Sequence, residues 1–171
     1  MTIGQLPRGL VPAFTLLLSL LAGAPLGAQQ LELAGLFGDH MVLQAGEPLL
    51  IWGTAAPREP LRLSMGEASV SGYAGTTGRF ALTLPPMKPG GPFELVLRGR
   101  DDGNELLLHD LLIGEVWIAA GGANMALPVS MAGDALETVR AAQHPQLRVT
   151  QLPTRAATSP SMEASLEWQA V

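Results

Sequence analysis

The sequence of 171 residues predicts a mainly β protein, in which an N-terminal antiparallel β-sandwich precedes an incomplete α/β segment of βαβ type. Short apolar runs alternate with turns rich in Gly and Pro between Leu31 and Leu112, and after Gly114 the pattern changes to strand, helix and strand. With 47% hydrophobic and 15% charged residues, the composition excludes intrinsic disorder and a coiled coil.

The first 28 residues have the layout of a secretory signal peptide. Arg8 supplies the positive charge, residues 9–21 are apolar, and Leu26-Gly27-Ala28 ends the stretch with small residues before Gln29. The apolar stretch is shorter than the roughly 20 residues of a membrane-spanning helix. We therefore expect cleavage after Ala28, a periplasmic or extracellular protein, and no membrane association once the signal is removed.

Charge and cysteine content exclude several classes of function. The formal charge is −5, with no basic cluster, which argues against nucleic acid as a partner. The chain has no cysteine, so disulfides, thiolate nucleophiles and Cys-ligated zinc are excluded. No two of the three histidines have ligand spacing, so we expect neither a metal nor another cofactor.

The first part of the chain has the pattern of an antiparallel sandwich. Six or seven short strands are expected, separated by turns in which Gly supplies positive φ and Pro fixes φ near −65°. The apolar runs that predict them are 31–36, 41–44, 49–52, 61–63, 79–84, 93–97 and 106–109. Ser69 and Ser71 fall between these runs, and we expect them in turns or at an edge.

The second part predicts a parallel βαβ unit. A strand is expected over residues 114–119, a short helix from Asp134 to about Gln143, and a second strand over residues 147–151. Asp134 and Glu137 have the spacing of a capping box. A Thr-, Ser- and Ala-rich loop over residues 154–161 follows.

Three aromatic or acidic side chains have expected positions of their own. Trp52 and Trp117 lie in apolar runs and are expected to anchor the core rather than to stack on sugars. Glu115 is expected to be partly buried and to accept hydrogen bonds from loop N–H groups.

Three segments together resemble the sialate O-acetylesterase family. The first is Asp39-His40-Met41-Val42-Leu43-Gln44 with Trp52-Gly53, and the second is Leu84-Pro85-Pro86-Met87 with Gly90-Gly91-Pro92-Phe93. The third, Gly114-Glu115-Val116-Trp117 running into Gly121 and Asn124-Met125, resembles the family block Gly-Glu-Val-Trp-Leu-x-Ser-Gly-Gln-Ser-Asn-Met.

The resemblance implies a domain organisation and a reaction. Residues 1–28 would be the signal peptide, 29–112 a β-sandwich domain, and 113–171 the truncated start of a hydrolase domain of SGNH type. The family removes O-acetyl groups from sialic acid or related sugars, using a serine, a His that takes its proton and an Asp that orients the His. Acetylated sialic acid or other glycans are the ligands that the resemblance implies.

The nucleophile position departs from the family pattern. The alignment places Ala123 where the family has its serine, in a loop with Gly121, Gly122, Asn124 and Met125, and a methyl group cannot attack a carbonyl. The family's Asp-x-x-His block is also missing from this sequence. His40 and His109 have adjacent aspartates, Asp39 and Asp110, but neighbours on a strand face opposite sides and form no preassembled pair.

The sequence leaves three functional classes open. The first is a catalytically inactive N-terminal fragment or pseudoenzyme that binds carbohydrate. The second is an esterase completed by a separate chain that supplies the rest of the hydrolase domain. The third is a truncated product without a selected function. An exported β-sandwich that binds carbohydrate or another protein is the alternative to a catalytic role.

Overall fold

The computed structural model describes residues 31–100, 104–131, 133–152 and 164–171. The expected signal peptide, its cleavage site after Ala28 and the loop over residues 154–161 lie outside the described residues. Ten strands and one α-helix are present in the described residues, together with two 3₁₀ turns at Ala123–Ala126 and Val129–Met131. The strands are β1 (Glu32–Leu33), β2 (Val42–Gln44), β3 (Leu49–Thr54), β4 (Pro60–Met65), β5 (Ala68–Tyr73), β6 (Arg79–Leu84), β7 (Gly90–Arg98), β8 (Glu105–Gly114), β9 (Arg148–Val149) and β10 (Gln169–Ala170), and the helix is α1 (Ala135–Ala141).

The strands up to Gly114 form two sheets. One sheet has the order β1-β3-β6 and is antiparallel, and the other has the order β2-β8-β7-β4-β5. In the second sheet β2 runs parallel to β8, whereas the other pairs are antiparallel. The mainly β fold class is thus confirmed, but the five-stranded sheet is mixed and not purely antiparallel. Ser69 and Ser71, expected in turns or at an edge, lie on the edge strand β5, whose six residues pair with β4.

Both sheets bury their apolar residues in one common core. The period of two predicts which side chains face it: in β6, Phe80, Leu82 and Leu84 are buried while the residues between them are exposed. Ile51 on β3 enters the same core, and Leu63 on β4 enters it from the other sheet. At about 25 cal/mol for each Å² of apolar surface buried, this core is the main source of stability in a chain without disulfides.

Two aromatic side chains close one side of the core. The rings of Phe37 and Trp52 are 4.6 Å apart in an edge-to-face arrangement, with an interplanar angle of 77°. Trp52 is half-buried against the core, as the sequence predicts. Gly53, next to it, allows β1 to approach, because a Cβ there would lie 2.0 Å from the Glu32 carbonyl oxygen.

The segment after Gly114 differs from its sequence prediction. Residues 115–119 pair with no strand in the described part of the chain, and β9 pairs antiparallel with β10 instead of parallel with an earlier strand. The expected parallel βαβ unit is therefore wrong for the described residues. A strand needs a neighbour that pairs with its backbone N–H and C=O groups, and residues 115–119 are exposed and belong to no strand.

The expected helix is present but short. α1 follows Asp134, whose side chain makes no capping hydrogen bond, and ends two residues before the predicted Gln143. No residue of α1 is buried. None of the helices in the described ranges is long and apolar enough to cross a bilayer. The boundary at residue 112 between two domains stays a prediction, although β8 continues past it to Gly114.

Candidate functional site

The loop at residues 121–126, which carries the predicted nucleophile position, forms a tight turn. The Met125 N–H donates to the Gly122 carbonyl at 3.0 Å, and a 3₁₀ turn spans Ala123–Ala126. Gly121 packs against Met125, because a Cβ at Gly121 would lie 3.0 Å from the Met125 Cγ. A Cβ at Gly122 would meet nothing within 4 Å.

The Ala123 side chain is exposed in this turn. It offers only a methyl group, so it cannot donate, accept or exchange a proton. The family resemblance implies that this loop directly follows a parallel strand, but the last strand before it, β8, ends at Gly114. No hydrogen bond joins the loop to a histidine or carboxylate in the described residues.

Two residues in front of the loop also depart from their expected positions. Trp117, expected in the core, is 87% exposed. Glu115, expected to be partly buried, is exposed and accepts a hydrogen bond from the Gln44 Nε2 at 3.3 Å. The Val116 N–H donates to the Gln44 Oε1 at 3.0 Å. The amide of Gln44, at the end of β2, thus holds the chain where it leaves β8.

A polar cluster that is not evident from the sequence lies beside β2 and β8. The His40 Nδ1 is 2.7 Å from the Asp110 Oδ2, and the Asp39 Oδ1 accepts from the His109 N–H at 2.7 Å. Each aspartate therefore bonds to the histidine of the other dipeptide and not to its own neighbour. The His109 Nδ1 lies 3.3 Å from the Glu94 Oε1.

The parallel register explains the crossed pairing. Val42 lies opposite Leu112, and continuing this register by two residues places His40 opposite Asp110. Residues directly opposite on neighbouring strands face the same side of a sheet. The sequence contains two dipeptides of reversed order, Asp39-His40 and His109-Asp110. They indicate a His–Asp contact only once β2 is known to pair with β8.

An irregularity in β8 directs the Asp110 side chain. The β7–β8 pairing shifts register between Phe93 and Leu95, so that one extra residue of β8 is accommodated near Asp110. Asp110 has a φ of 54° and His40 a φ of 65°. Asp adopts this left-handed conformation more readily than most residues because its short side chain bonds locally.

Arg148 completes the cluster from β9. Its Nη2 donates to both Asp110 oxygens, at 3.2 and 3.0 Å, and its side chain is only 5% exposed. A second donor, Nη1, contacts the Pro145 carbonyl. The buried cation is therefore paired with a carboxylate that lies on β8, and the pair joins residues 145–148 to the sheet.

The hydrogen bond from His40 holds the pKa of Asp110 below its usual value of 3.8, partial burial opposes this, and the charge of Arg148 acts in the same direction as His40. An ionised carboxylate only accepts hydrogen bonds, so the His40 Nδ1 carries the proton. Asp110 is thus a carboxylate at neutral pH, and it orients His40 while neutralising Arg148.

An open cleft lies on the exposed face of the paired strands β4 and β5, which are at the opposite end of the strand order from β2. It has a volume of about 270 Å³, and Arg62, Ser71 and Tyr73 line it. Arg62 lies opposite Ser71, and Tyr73 is on the same face of β5 two residues later. Tyr73 is 75% exposed.

Within the ranges that the structure describes, no three His, Asp or Glu side chains are grouped so as to hold a metal ion. The cluster around Asp110 contains a buried Arg148, whose positive charge opposes a cation there.

Comparisons with known proteins identify relatives of this chain. No protein-family model matches it. It is 34% identical to the sialate O-acetylesterase of Rattus norvegicus over 129 residues, which are 69% of this chain and 24% of the relative. It is 33% identical to that of Mus musculus over 108 residues and 31% identical to that of Homo sapiens over 106 residues. The chain spans a quarter or less of the length of these curated relatives.

A solved structure is similar to the described fold. A carbohydrate acetylesterase from Xanthomonas citri matches with a TM-score of 0.77 and 34% sequence identity. The match covers 81% of this chain and 32% of that protein. Residues 1–114 are only two thirds of this chain, so the match extends beyond β8 into the segment that carries the 121–126 loop.

Proposed function

Because the chain is homologous to sialate O-acetylesterases over about two thirds of its length, we propose that it is a relative of the carbohydrate O-acetylesterases that binds glycans without hydrolysing their acetyl esters. The two kinds of relative, found by sequence and by structure, both act on acetylated carbohydrates according to their names. The homology supports an esterase-like ancestry, and the absence of hydrolysis is our inference from the loop.

Ala123 is the observation that carries the proposal. The resemblance places it at the family's nucleophilic serine, between Gly121 and Asn124-Met125. Acyl transfer by a serine hydrolase needs a hydroxyl that a histidine deprotonates, and loss of the nucleophile leaves only the residual effect of binding and oxyanion stabilisation. The His40–Asp110 pair has the arrangement of a base and its orienting carboxylate, but in the described residues no serine or threonine hydroxyl is bonded to His40.

The cleft on the exposed face of β4 and β5 supports the binding part of the proposal. An exposed tyrosine supplies a large rigid surface at low entropic cost, and an arginine and a serine beside it supply donors for sugar hydroxyl, carboxylate or acetyl oxygens. Tyr73, Arg62 and Ser71 have this composition and lie on one face. We propose this cleft as the glycan contact.

The test separates hydrolysis from binding. The purified chain is incubated with 9-O-acetyl-N-acetylneuraminic acid, and acetate release is measured beside binding by NMR line broadening. We expect no acetate above the buffer rate, together with binding that Tyr73→Ala or Arg62→Ala weakens. Arg79→Ala, which alters an exposed arginine on β6 outside the cleft, is the matched control. Acetate release that depends on one particular residue would overturn the proposal.

Export is a further part of the proposal, supported by the leader-like layout of residues 1–28. Expression with the native N-terminus followed by N-terminal sequencing of the exported protein tests it. We expect the mature chain to begin at Gln29. Retention of Met1 in the product would contradict export through this signal.

A second candidate function is that of a protein-interaction module, and one observation favours it. Large apolar side chains after β8 are exposed to an extent that glycan binding does not require, with Trp117 as the most prominent.

A further inference from the structure

We propose that the cleft on the exposed face of β4 and β5 selects glycans that carry a carboxylate, and that Arg62 binds this group whether or not the sugar is O-acetylated. The inference rests on the proposed glycan binding and names the class of ligand. None of the residues that line the cleft belongs to the loop at residues 121–126. The cleft would therefore recognise the acid group of a sugar and not its acetyl ester.

The row of side chains that crosses the sheet at Arg62 carries two positive charges. Arg62 lies opposite Ser71 on β5 and opposite Arg98 on β7, and Arg98 lies opposite Glu105 on β8. Residues directly opposite on neighbouring strands face the same side of a sheet, so these four exposed side chains share one face. Like charges in directly opposite positions are destabilising, and an anion bound beside them would reduce their repulsion.

The two arginines of this row differ in their partners. The Arg98 Nε donates to the Glu105 carboxylate. Among the described residues, the Arg62 guanidinium has neither a hydrogen bond nor an ion pair. Arg62 thus keeps its N–H donors for a ligand, and a planar guanidinium matches a carboxylate through paired hydrogen bonds.

A carboxylate of the chain that lies next to the cleft is bonded to other donors. Gly99 lines the cleft, and a Cβ there would lie 2.6 Å from the Glu59 Oε1. That oxygen accepts from the Arg100 N–H at 2.9 Å and from the Asn104 Nδ2 at 3.1 Å. Glu59 forms no ion pair with Arg62, so the acceptor for this guanidinium has to come from a ligand.

The position of Tyr73 suits a sugar ring that carries the carboxylate. Tyr73 is two residues after Ser71 on β5, so it is a diagonal neighbour of Arg62 on the same face. Diagonal neighbours are about 7–8 Å apart, a distance that a pyranose ring with its carboxylate can span. The tyrosine ring, which is 75% exposed, can stack on the sugar while the guanidinium binds the acid group.

The net charge of the chain does not prevent this selection. The formal charge is −5, but at physiological ionic strength exposed charges more than about 8 Å apart are largely screened. The arginines beside the cleft therefore determine the local preference. Raising the salt concentration should weaken the binding of an acidic sugar and leave that of a neutral sugar unchanged.

Ligand-detected NMR titrations with D-glucuronate and D-glucose test the proposal, because these sugars differ only in the carboxylate at C6. We expect glucuronate to bind about tenfold or more tightly than glucose. N-acetylneuraminate is the second acid, and the ratio between the two acids distinguishes a uronate from a sialate as the source of the carboxylate. Its 9-O-acetyl form should bind within about twofold of the unacetylated sugar.

Variants of Arg62 separate binding from folding. Arg62→Gln should lower the affinity for glucuronate about tenfold or more and leave that for glucose unchanged. Arg62→Lys should restore part of the affinity, because an ammonium keeps the charge but not the planar fork. The matched control is Arg79→Gln, at an exposed arginine outside the cleft, which should bind as the parent does. The thermal midpoint of Arg62→Gln should not fall, since this change removes the repulsion from Arg98.

The possible outcomes distinguish this inference from the proposed function. Equal affinities for glucuronate and glucose, or an affinity that requires the 9-O-acetyl group, would overturn the carboxylate assignment and leave glycan binding in place. If none of the sugars binds, both the carboxylate assignment and the proposed glycan binding are wrong. Acetate release would contradict only the absence of hydrolysis.

Discussion

His40 and Asp110 form a hydrogen bond of 2.7 Å, although each has a residue of opposite type next to it in the sequence. The bond links the start of β2 to the irregular part of β8, and the same carboxylate pairs with the buried Arg148 of β9. One aspartate thus connects β8 to two other parts of the chain, one 70 residues before it and one 38 residues after it.

The Asp110–Arg148 pair should show strong energetic coupling. Removing either partner leaves a buried cation or a carboxylate without its partner, so a double-mutant cycle with Asp110→Ala and Arg148→Ala should give a coupling free energy of about 2 kcal/mol in urea unfolding. The exposed pair Arg98–Glu105, at 2.5 Å, is the matched control and should give less than about 1 kcal/mol. Equal coupling in both cycles would show that burial of Arg148 has no energetic consequence.

Acid should release the segment that Arg148 holds. The pKa of Asp110 is lower in the folded chain than in the unfolded chain, so its stabilising contribution is complete above about pH 3.8 and is lost as the pH falls through the lower folded pKa. Fluorescence of the half-buried Trp168 follows this change between pH 7 and pH 2. In Asp110→Asn the acid-dependent step should be missing, because the amide does not titrate in this range.

Restoring a serine at position 123 should not by itself restore catalysis. In Ala123→Ser the hydroxyl would lie in an exposed turn with no bonded histidine in the described residues, so it would keep an ordinary alcohol's reactivity. Hydrolysis of 4-nitrophenyl acetate by this variant should equal that of the parent chain.

Trp52 and Trp117, which the sequence predicts to lie in the core, should differ in their effect on the free energy of unfolding. Trp52 packs against Phe37 and the core, so Trp52→Ala should lower the free energy of unfolding by about 3 kcal/mol. Trp117 is almost fully exposed, and Trp117→Ala should change it by no more than about 0.5 kcal/mol. Chemical denaturation of both variants measures the difference, and similar losses would contradict the exposed position of Trp117.

Gly53 should tolerate no side chain. A Cβ at this position would lie 2.0 Å from the Glu32 carbonyl oxygen, so Gly53→Ala must push β1 away from β3, at a cost of about 2 kcal/mol or more. Gly122→Ala is the control, because a Cβ there meets nothing within 4 Å and should change stability by less than about 0.5 kcal/mol. Thermal unfolding followed by circular dichroism compares the two.

Sequence patterns predicted most strands because one face of each strand meets the core. The alternation in Arg79–Leu84 matches its burial residue by residue. β5 was not predicted because half of its residues are Ser or Gly, which have a low strand propensity or give no apolar alternation. It forms because it pairs with β4 along six residues. The run around Trp117 shows the reverse case: its sequence is apolar and β-prone, but within the described residues no strand pairs with it and it forms none.

By itself, the sequence determined the mainly β class, the relationship to carbohydrate acetylesterases and the methyl group at position 123, because composition, local periodicity and motif order are properties of the chain alone. Only the tertiary structure decided that His40 meets Asp110, that Arg148 is buried against it, and that Trp117 is exposed. These relationships depend on which strands become neighbours. Strand pairing is determined by the many apolar residues that share the core, and not by the polar residues that the pairing brings into contact.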